Sequence, residues 1–77
     1  MNKTRRSKIE NIKDKLEVLI SELQELQEEE QEAFDNLPES LQYAEKGETM
    51  EETANDLQDC VDNLEDLVNS LEDIIYR

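Results

Sequence analysis

Residues 50–75 decide the fold: they read MEETANDLQDCVDNLEDLVNSLEDII, with an apolar residue at every third or fourth position. The apolar set is Met50, Ala54, Leu57, Val61, Leu64, Val68, Leu71 and Ile75. Steps that alternate between four and three residues form one continuous apolar stripe on an α-helix, as in the heptad repeat of a coiled coil. A strand would alternate every two residues instead. The segment therefore predicts a long amphipathic helix, helix 2, over about 50–76.

The same repeat occurs upstream and predicts helix 1 over about 5–35. The apolar residues of helix 1 occupy two positions of the heptad, named a and d, and each position forms a line along the helix. The a line of helix 1 is Ile9, Leu16, Leu23 and Leu37, and the d line is Ile12, Leu19, Leu26 and Ala33. Glu30 is the one charged residue on the a line. Helix 1 ends close to Asn36, because Pro38 disfavours the helical conformation of the residue before it.

Local signals at the helix ends refine these limits. Ser7–Glu10 and Thr49–Glu52 both match the capping-box pattern and predict that helix 1 starts between Thr4 and Ser7 and helix 2 near residue 50. Between the helices, the first-turn preference of proline predicts a short connecting helix over about 38–45. Gly47 is then expected to end that helix in the left-handed conformation.

Helices of matched length joined by a short connector predict an all-α fold, an antiparallel helical hairpin that resembles a coiled coil, in a single domain over 1–77. Placing Ile9 against Ile75 also brings Leu16 to Val68, Leu23 to Val61, and Glu30 to the small Ala54. The aromatic and aliphatic residues of the connector are expected to cover the open end of this core. The alternative is that they form a recognition tip. They are Phe34, Leu37, Leu41 and Tyr43.

Apolar residues beside the expected hairpin seam predict that two hairpins associate as a homodimer in a four-helix bundle. These self-association residues are Ile20 and Phe34 on helix 1 and Cys60, Leu67 and Ile74 on helix 2. A two-helix contact covers only one flank of each helix, so they need a further partner. Cys60 is expected to act as a small buried hydrophobe, and an intermolecular disulfide is the alternative.

Charge is distributed unevenly along the chain, whose net charge is −14. Residues 1–15 hold six cations and two acids, a net charge of +4, whereas the rest holds two cations and twenty acids, a net charge of −18. Such a field repels nucleic acid and anionic membranes and favours a basic protein partner. No segment has the composition of a transmembrane span or a signal peptide, which predicts a cytoplasmic protein.

No arrangement of residues predicts chemistry. Histidine is absent, and the hydroxyl groups have no base at a recognisable spacing. The acidic runs lack the glycine turn and the alternating ligands of a calcium loop. We therefore expect neither an enzyme, nor a bound metal, nor a cofactor.

Helix 2 carries a series of acidic residues that we name the acidic face. It consists of Glu48, Glu52, Asp56, Asp59, Asp62, Asp66 and Asp73. Neighbours three or four residues apart on a helix are about 5–6 Å apart, which is comparable to phosphate spacing along a nucleic-acid strand. The acidic face therefore predicts a nucleic-acid mimic that occupies a basic groove. The plainer interpretation is a solvated helix that keeps the protein soluble.

The connector region Glu32–Gln42, EAFDNLPESLQ, is followed by Glu45–Glu48 and an acidic second helix. In these features the chain resembles a group of uncharacterised small acidic helical proteins encoded by phages and mobile elements of Gram-positive bacteria. The resemblance covers nearly the whole chain and implies no particular binding residues. It implies a setting in which small proteins bind and inhibit host or defence proteins.

Three functional hypotheses follow. The first is a non-enzymatic protein-binding module, an acidic inhibitor or nucleic-acid mimic that occupies a basic surface of a host or antiviral-defence protein. The second is a self-associating coiled-coil adaptor or assembly factor. The third is an antitoxin-like neutraliser, which the sequence does not separate from the first.

Overall fold

The computed structural model describes all 77 residues and contains three helices. Helix α1 spans Lys3–Asp35, α2 spans Glu39–Gln42 and α3 spans Glu45–Ile75. The molecule is elongated, with principal extents of 59 × 15 × 13 Å, and α1 packs along α3. The prediction of an all-α protein built from two long packed helices is confirmed.

Contacts between α1 and α3 show that the two helices are antiparallel. The Lys13 Nζ atom lies 3.6 Å from Glu72 Oε1, and Gln24 Nε2 donates a hydrogen bond of 3.4 Å to Glu65 Oε1. Residues early in α1 therefore meet residues late in α3. Between these contacts, Ile20 packs against Val61 and Val68 in the centre of the core. Leu16, Leu23 and Leu64 surround this cluster, which is the register expected from the heptads.

The first turn of α1 begins earlier than predicted. Asn2 is its N-cap, and Asn2 Oδ1 accepts a hydrogen bond of 2.8 Å from the backbone N–H of Arg5. Asparagine satisfies a free amide of the first turn as well as serine does. Ser7 consequently lies inside the helix, and the predicted capping box at Ser7–Glu10 is wrong.

The connector also differs from the prediction. The short helix α2 covers only Glu39–Gln42, and α3 begins at Glu45, five residues before the predicted start of helix 2. The N-cap of α3 is Ala44, without a side-chain hydrogen bond, so the capping box at Thr49–Glu52 is wrong as well. No residue of the chain has a positive φ, and Gly47 therefore does not end a helix in the left-handed conformation.

Gly47 is instead required by close packing. It is buried in the first turn of α3, against the end of α2. A Cβ atom on Gly47 would lie 2.5 Å from the carbonyl oxygen of Leu41 and closer still to that of Gln42. Glycine is thus the residue that lets α3 begin directly beneath α2, which explains why α3 extends back to Glu45.

The side chain of Gln42 holds the connector to α1. Its Nε2 group donates to the carbonyl oxygens of Phe34, Asp35 and Leu37 at 3.2–3.4 Å. The last carbonyl groups of a helix have no partner within the helix. Gln42 therefore supplies side-chain hydrogen bonds to free backbone groups at the C-terminus of α1, as Asn2 does at its N-terminus.

The most buried residues of α3 lie seven residues apart. They form one line, the core line of α3: Gly47, Ala54, Val61, Val68 and Ile75. The other half of the predicted stripe is half-buried beside this line, at Met50, Leu57, Leu64 and Leu71. Small or β-branched residues on the core line let α1 approach closely along the whole length of α3.

Helix α1 is rotated about its axis relative to the predicted seam. Its d line points outward: Ile12, Leu19 and Leu26 are 52%, 49% and 52% exposed. The place in the seam expected for the d line is occupied by the e line, whose residues follow the d residues in sequence and lie on the opposite side of the a line. The e line consists of Lys13, Ile20, Gln27 and Phe34. Ile20 is only 7% exposed, so its assignment to self-association is wrong, and Phe34 is half-buried.

The physical reason for this rotation is the width of the apolar stripe on α1. Apolar residues occupy three neighbouring lines of the helix, d, a and e, whereas a single helix neighbour covers about two of them. Burying the a and e lines allows the Lys13 side chain to pack at the seam with its ammonium group at Glu72. The d line is then left uncovered.

Candidate interaction surfaces

The acidic face lies on the side of α3 that is turned away from its core line. All seven of its residues are exposed. At 100° per residue, their positions fall within an arc of about 120° on the helix. Four of them, Glu52, Asp59, Asp66 and Asp73, form a straight line at seven-residue intervals, about 10.5 Å apart.

The charge of the acidic face is not neutralised within the chain. The ion pairs of the structure are those of Lys13 with Glu17 and Glu72, and none involves the acidic face. Asp62 accepts a hydrogen bond of 3.0 Å from Gln58, which is a neutral donor. Seven carboxylates are therefore held on a rigid helix and lack a cationic partner.

One side of the hairpin is polar, and we name it the polar edge. An open groove there is lined by Glu17, Glu65, Asn69 and Glu72, with Ile20 and Val68 at its base. It holds acceptor oxygens and one amide but no nucleophile beside a base. Chain-wide, the structure has no cluster of three or more side chains arranged to hold a metal ion. The arrangement suits polar contacts with solvent or with a cation and assembles no catalytic group.

Lys13 is the charged residue that the polar edge holds most closely. Desolvation opposes its charge, but the carboxylates of Glu17 and Glu72, together with Tyr76 and Asp14, outweigh that effect and raise the pKa of Lys13 above its usual 10.5. Its ammonium group lies 4.0 Å from Glu17 and 3.6 Å from Glu72. Lys13 therefore links α1 to α3 across the end of the hairpin that carries both termini.

The opposite side of the hairpin is apolar, and we name it the apolar face. Because the e line of α1 meets Glu65 and Glu72 at the polar edge, the d line of α1 must lie on the other side, next to the half-buried leucines of α3. Leu67 there is 46% exposed, Ile74 is half-buried and Cys60 is exposed. Cys60 is thus exposed in the single hairpin, and its burial stays a prediction for the dimer.

Half of the apolar face is predictable from the sequence, and the other half is not. Leu67, Ile74 and Cys60 were assigned to self-association from their position beside the seam. The d line of α1 was assigned to the seam itself and is exposed. A signal was present, since three apolar lines on α1 exceed what one neighbour covers, but the pattern alone does not say which line is left out.

The connector does not close fully over the core. Phe34 and Leu37 are half-buried, as expected of residues that cover the end of the hairpin. Leu41 and Tyr43 are exposed, so the prediction that they fold inward is wrong. Tyr43 projects at the end of the molecule opposite to the chain termini.

Comparison with known proteins adds no relative: the chain matches no family model, and the searches of curated proteins and of solved structures give no significant match. The fold and the surfaces thus define the class directly, an elongated, acidic, all-α hairpin. Neither long helix contains a stretch apolar enough to cross a lipid bilayer.

Proposed function

We propose that this chain is a non-enzymatic protein-binding module of the bacterial cytoplasm. Its acidic face occupies a basic surface of another protein, a host or antiviral-defence protein that itself binds nucleic acid. The observation that carries the proposal is the acidic face: seven exposed carboxylates within one arc of a 31-residue helix, none paired with a cation.

The electrostatics of the acidic face favour a basic partner. A charged surface without internal partners accumulates counterions, and a basic groove that binds it releases them, as happens when a protein binds DNA. The helix holds the carboxylates in place before binding, so little conformational entropy is lost. The resemblance of Glu32–Gln42 to small proteins of phages and mobile elements supports a host or defence protein as the partner.

The second part of the proposal is that the hairpin acts as a homodimer, packed as a four-helix bundle. The apolar face supports it, because the hairpin leaves Ile12, Leu19, Leu26 and Leu67 each about half exposed on one side. A contiguous exposed apolar patch is typical of a protein–protein interface.

The experiment that tests the proposed function is affinity capture from a Gram-positive bacterial lysate at low and high salt, with quantification by mass spectrometry. The test variant is Asp59→Asn/Asp62→Asn/Asp66→Asn, on the acidic face. The matched control is Glu25→Gln/Glu28→Gln/Glu32→Gln, which removes the same charge from exposed positions of α1.

We expect a captured partner to bind the native chain and the α1 control but not the acidic-face variant, with binding weakened about tenfold or more between 50 and 200 mM salt. The native chain is also expected to displace a labelled nucleic-acid duplex from that partner. Equal loss in both variants indicates that total charge, not the acidic face, governs binding. Capture that is insensitive to salt contradicts the proposal.

A second candidate function is a structural adaptor or assembly factor, which the width of the apolar face favours. In that case the exposed leucines, such as Leu67, carry the activity. The acidic-face variant then keeps full activity, whereas Leu67→Ser loses it, so the two variants separate the two functions.

A further inference from the structure

We propose that two copies of this hairpin pair through their apolar faces in an antiparallel arrangement, with α1 on α1 and α3 on α3, and with a two-fold axis that passes beside Leu19. The charges that border the apolar face carry this inference. It rests on the proposed homodimer and specifies how that dimer is built.

Four charged residues border the d line of α1 on its outer side, at seven-residue intervals. They are Lys8, Lys15, Glu22 and Glu29, and all are exposed and lack an ion pair in the hairpin. Two cations are followed by two anions, so the pattern reverses sign about its midpoint, between residues 18 and 19. A copy of α1 that runs in the opposite direction places Lys8 opposite Glu29 and Lys15 opposite Glu22.

The apolar residues agree with the same axis. When Leu19 meets Leu19 of the second copy, Ile12 meets Leu26. The axis of these apolar contacts agrees with the axis of the charged pairs to within one residue, about 1.5 Å along the helix. The two copies thus form three apolar layers between their α1 helices, bordered by four pairs of opposite charge.

Helix α3 fits this axis independently. Ile20 packs against both Val61 and Val68, which places Ile20 level with the midpoint of these two residues and Leu19 beside residues 65 and 66 of α3. The axis then passes between Leu64 and Leu67. On an antiparallel copy of α3 the apolar residues meet one another: Leu64 meets Leu67, Leu57 meets Ile74 and Cys60 meets Leu71.

The alternative pairing, in which both hairpins point the same way and α1 lies on α3 of the second copy, places like charges together. In the register of the hairpin it brings Lys8 beside Arg77 and Glu29 beside Asp56. Like charges across an interface are unfavourable. The border charges therefore select the antiparallel arrangement.

The size of the apolar face suits a second copy. From Lys8 to Glu29 the apolar face with its border charges extends roughly 30 Å along the helices, and two helices of about 10 Å diameter make it roughly 20 Å wide. Each copy would cover roughly 600 Å², or about 1,200 Å² in total, which is at the lower end of specific interfaces.

Since each acidic face lies away from α1, both acidic faces then lie on the α3 side of the bundle, with their carboxylate lines antiparallel.

Sedimentation velocity on the full chain under reducing conditions tests the border charges. In the homodimer, Lys15→Glu and Glu22→Lys each turn two attractive pairs into repulsive ones, and we expect the dissociation constant to rise about tenfold. Lys15→Glu/Glu22→Lys restores the pairs and is expected to dimerise within about threefold of the native chain. Glu25→Lys, the same change on the outer side of α1, is the control and is expected to leave dimerisation unchanged.

A cross-linking measurement tests the position of the axis. In a Cys60→Ser background, Leu19→Cys is expected to form an intermolecular disulfide on oxidation, because two such residues meet at the axis. Val18→Cys is the control: Val18 is more exposed than Leu19, 61% against 49%, but lies on the outer side of α1. We expect it to stay reduced under conditions that link Leu19→Cys.

Several outcomes overturn the arrangement. A native chain that is monomeric at 200 µM contradicts the dimer itself and leaves the acidic face as a separate question. A dimer that tolerates both single charge reversals, or that the double reversal weakens further, contradicts the antiparallel pairing. Cross-linking of Val18→Cys as readily as Leu19→Cys contradicts the position of the axis.

Discussion

Replacing Gly47 by alanine is the most direct test of how α3 begins. Helix propensity by itself favours alanine over glycine by about 1 kcal/mol in a helix interior. Gly47 lies in the first turn of α3, where the gain is smaller. On propensity alone, Gly47→Ala is therefore expected to stabilise the protein slightly.

The structure predicts the opposite sign. The added Cβ would lie 2.5 Å from the Leu41 carbonyl oxygen and closer to that of Gln42, so backbone atoms have to move. Inserting a methyl group into a tightly packed site costs about 1–3 kcal/mol, and a backbone contact belongs at the upper end of that range. After subtraction of the propensity gain, we expect Gly47→Ala to lower the free energy of unfolding by about 1–2 kcal/mol.

The measurement is urea unfolding followed by circular dichroism at 222 nm, at one fixed protein concentration for all variants. Thr49→Ala is the matched control, because Thr49 is exposed in the same part of α3. It is expected to stabilise the protein by a few tenths of a kcal/mol through helix propensity. If Gly47→Ala is as stable as the native chain or more so, the close approach of α2 to α3 does not hold, and Gly47 has no packing role.

Two further predictions concern α1. Asn2→Ala removes the hydrogen bond from the Arg5 amide and is expected to lower the free energy of unfolding in urea by about 1 kcal/mol. Ser7→Ala is expected to stay within about 0.5 kcal/mol of the native chain. A larger loss for Ser7→Ala than for Asn2→Ala would indicate that the helix is capped at Ser7. Because the folded state raises the pKa of Lys13 above 10.5, its contribution to stability is complete below pH 10.5 and is lost as the pH rises through the higher folded value. We therefore expect Lys13→Met to be less stable than the native chain at pH 8, with a difference that narrows towards pH 11; a difference that does not change with pH contradicts an electrostatic role.

The all-α fold follows from residues that interact locally. Apolar residues at heptad spacing, such as Val61 and Val68, favour a helix with one apolar side whatever it packs against. Pro38 interrupts that pattern once, which divides the chain into two long helices and a connector. For the same reason, the exposure of the acidic face follows from α3 alone, since its residues lie opposite the core line.

The helix ends were less predictable because competing local signals have similar energies. Ser7 and Thr49 both fit a capping box, yet the helices start at Lys3 and Glu45. A cap contributes about 1 kcal/mol, which a few additional helical residues and their packing offset. In sequence, a glycine such as Gly47 likewise indicates either the end of a helix or the close approach of two backbone segments.

The sequence by itself determined that this protein is a pair of long amphipathic helices, with a basic end and an acidic second helix, because heptad spacing and charge act within each helix. Only the tertiary structure decided which two of the three apolar lines of α1 meet α3. That choice depends on how Lys13, Ile20 and Phe34 fit against the core line of α3, a contact between residues far apart in the chain. It left Ile12, Leu19 and Leu26 exposed, and it thereby placed an apolar face bordered by Lys8, Lys15, Glu22 and Glu29 on one side of the hairpin.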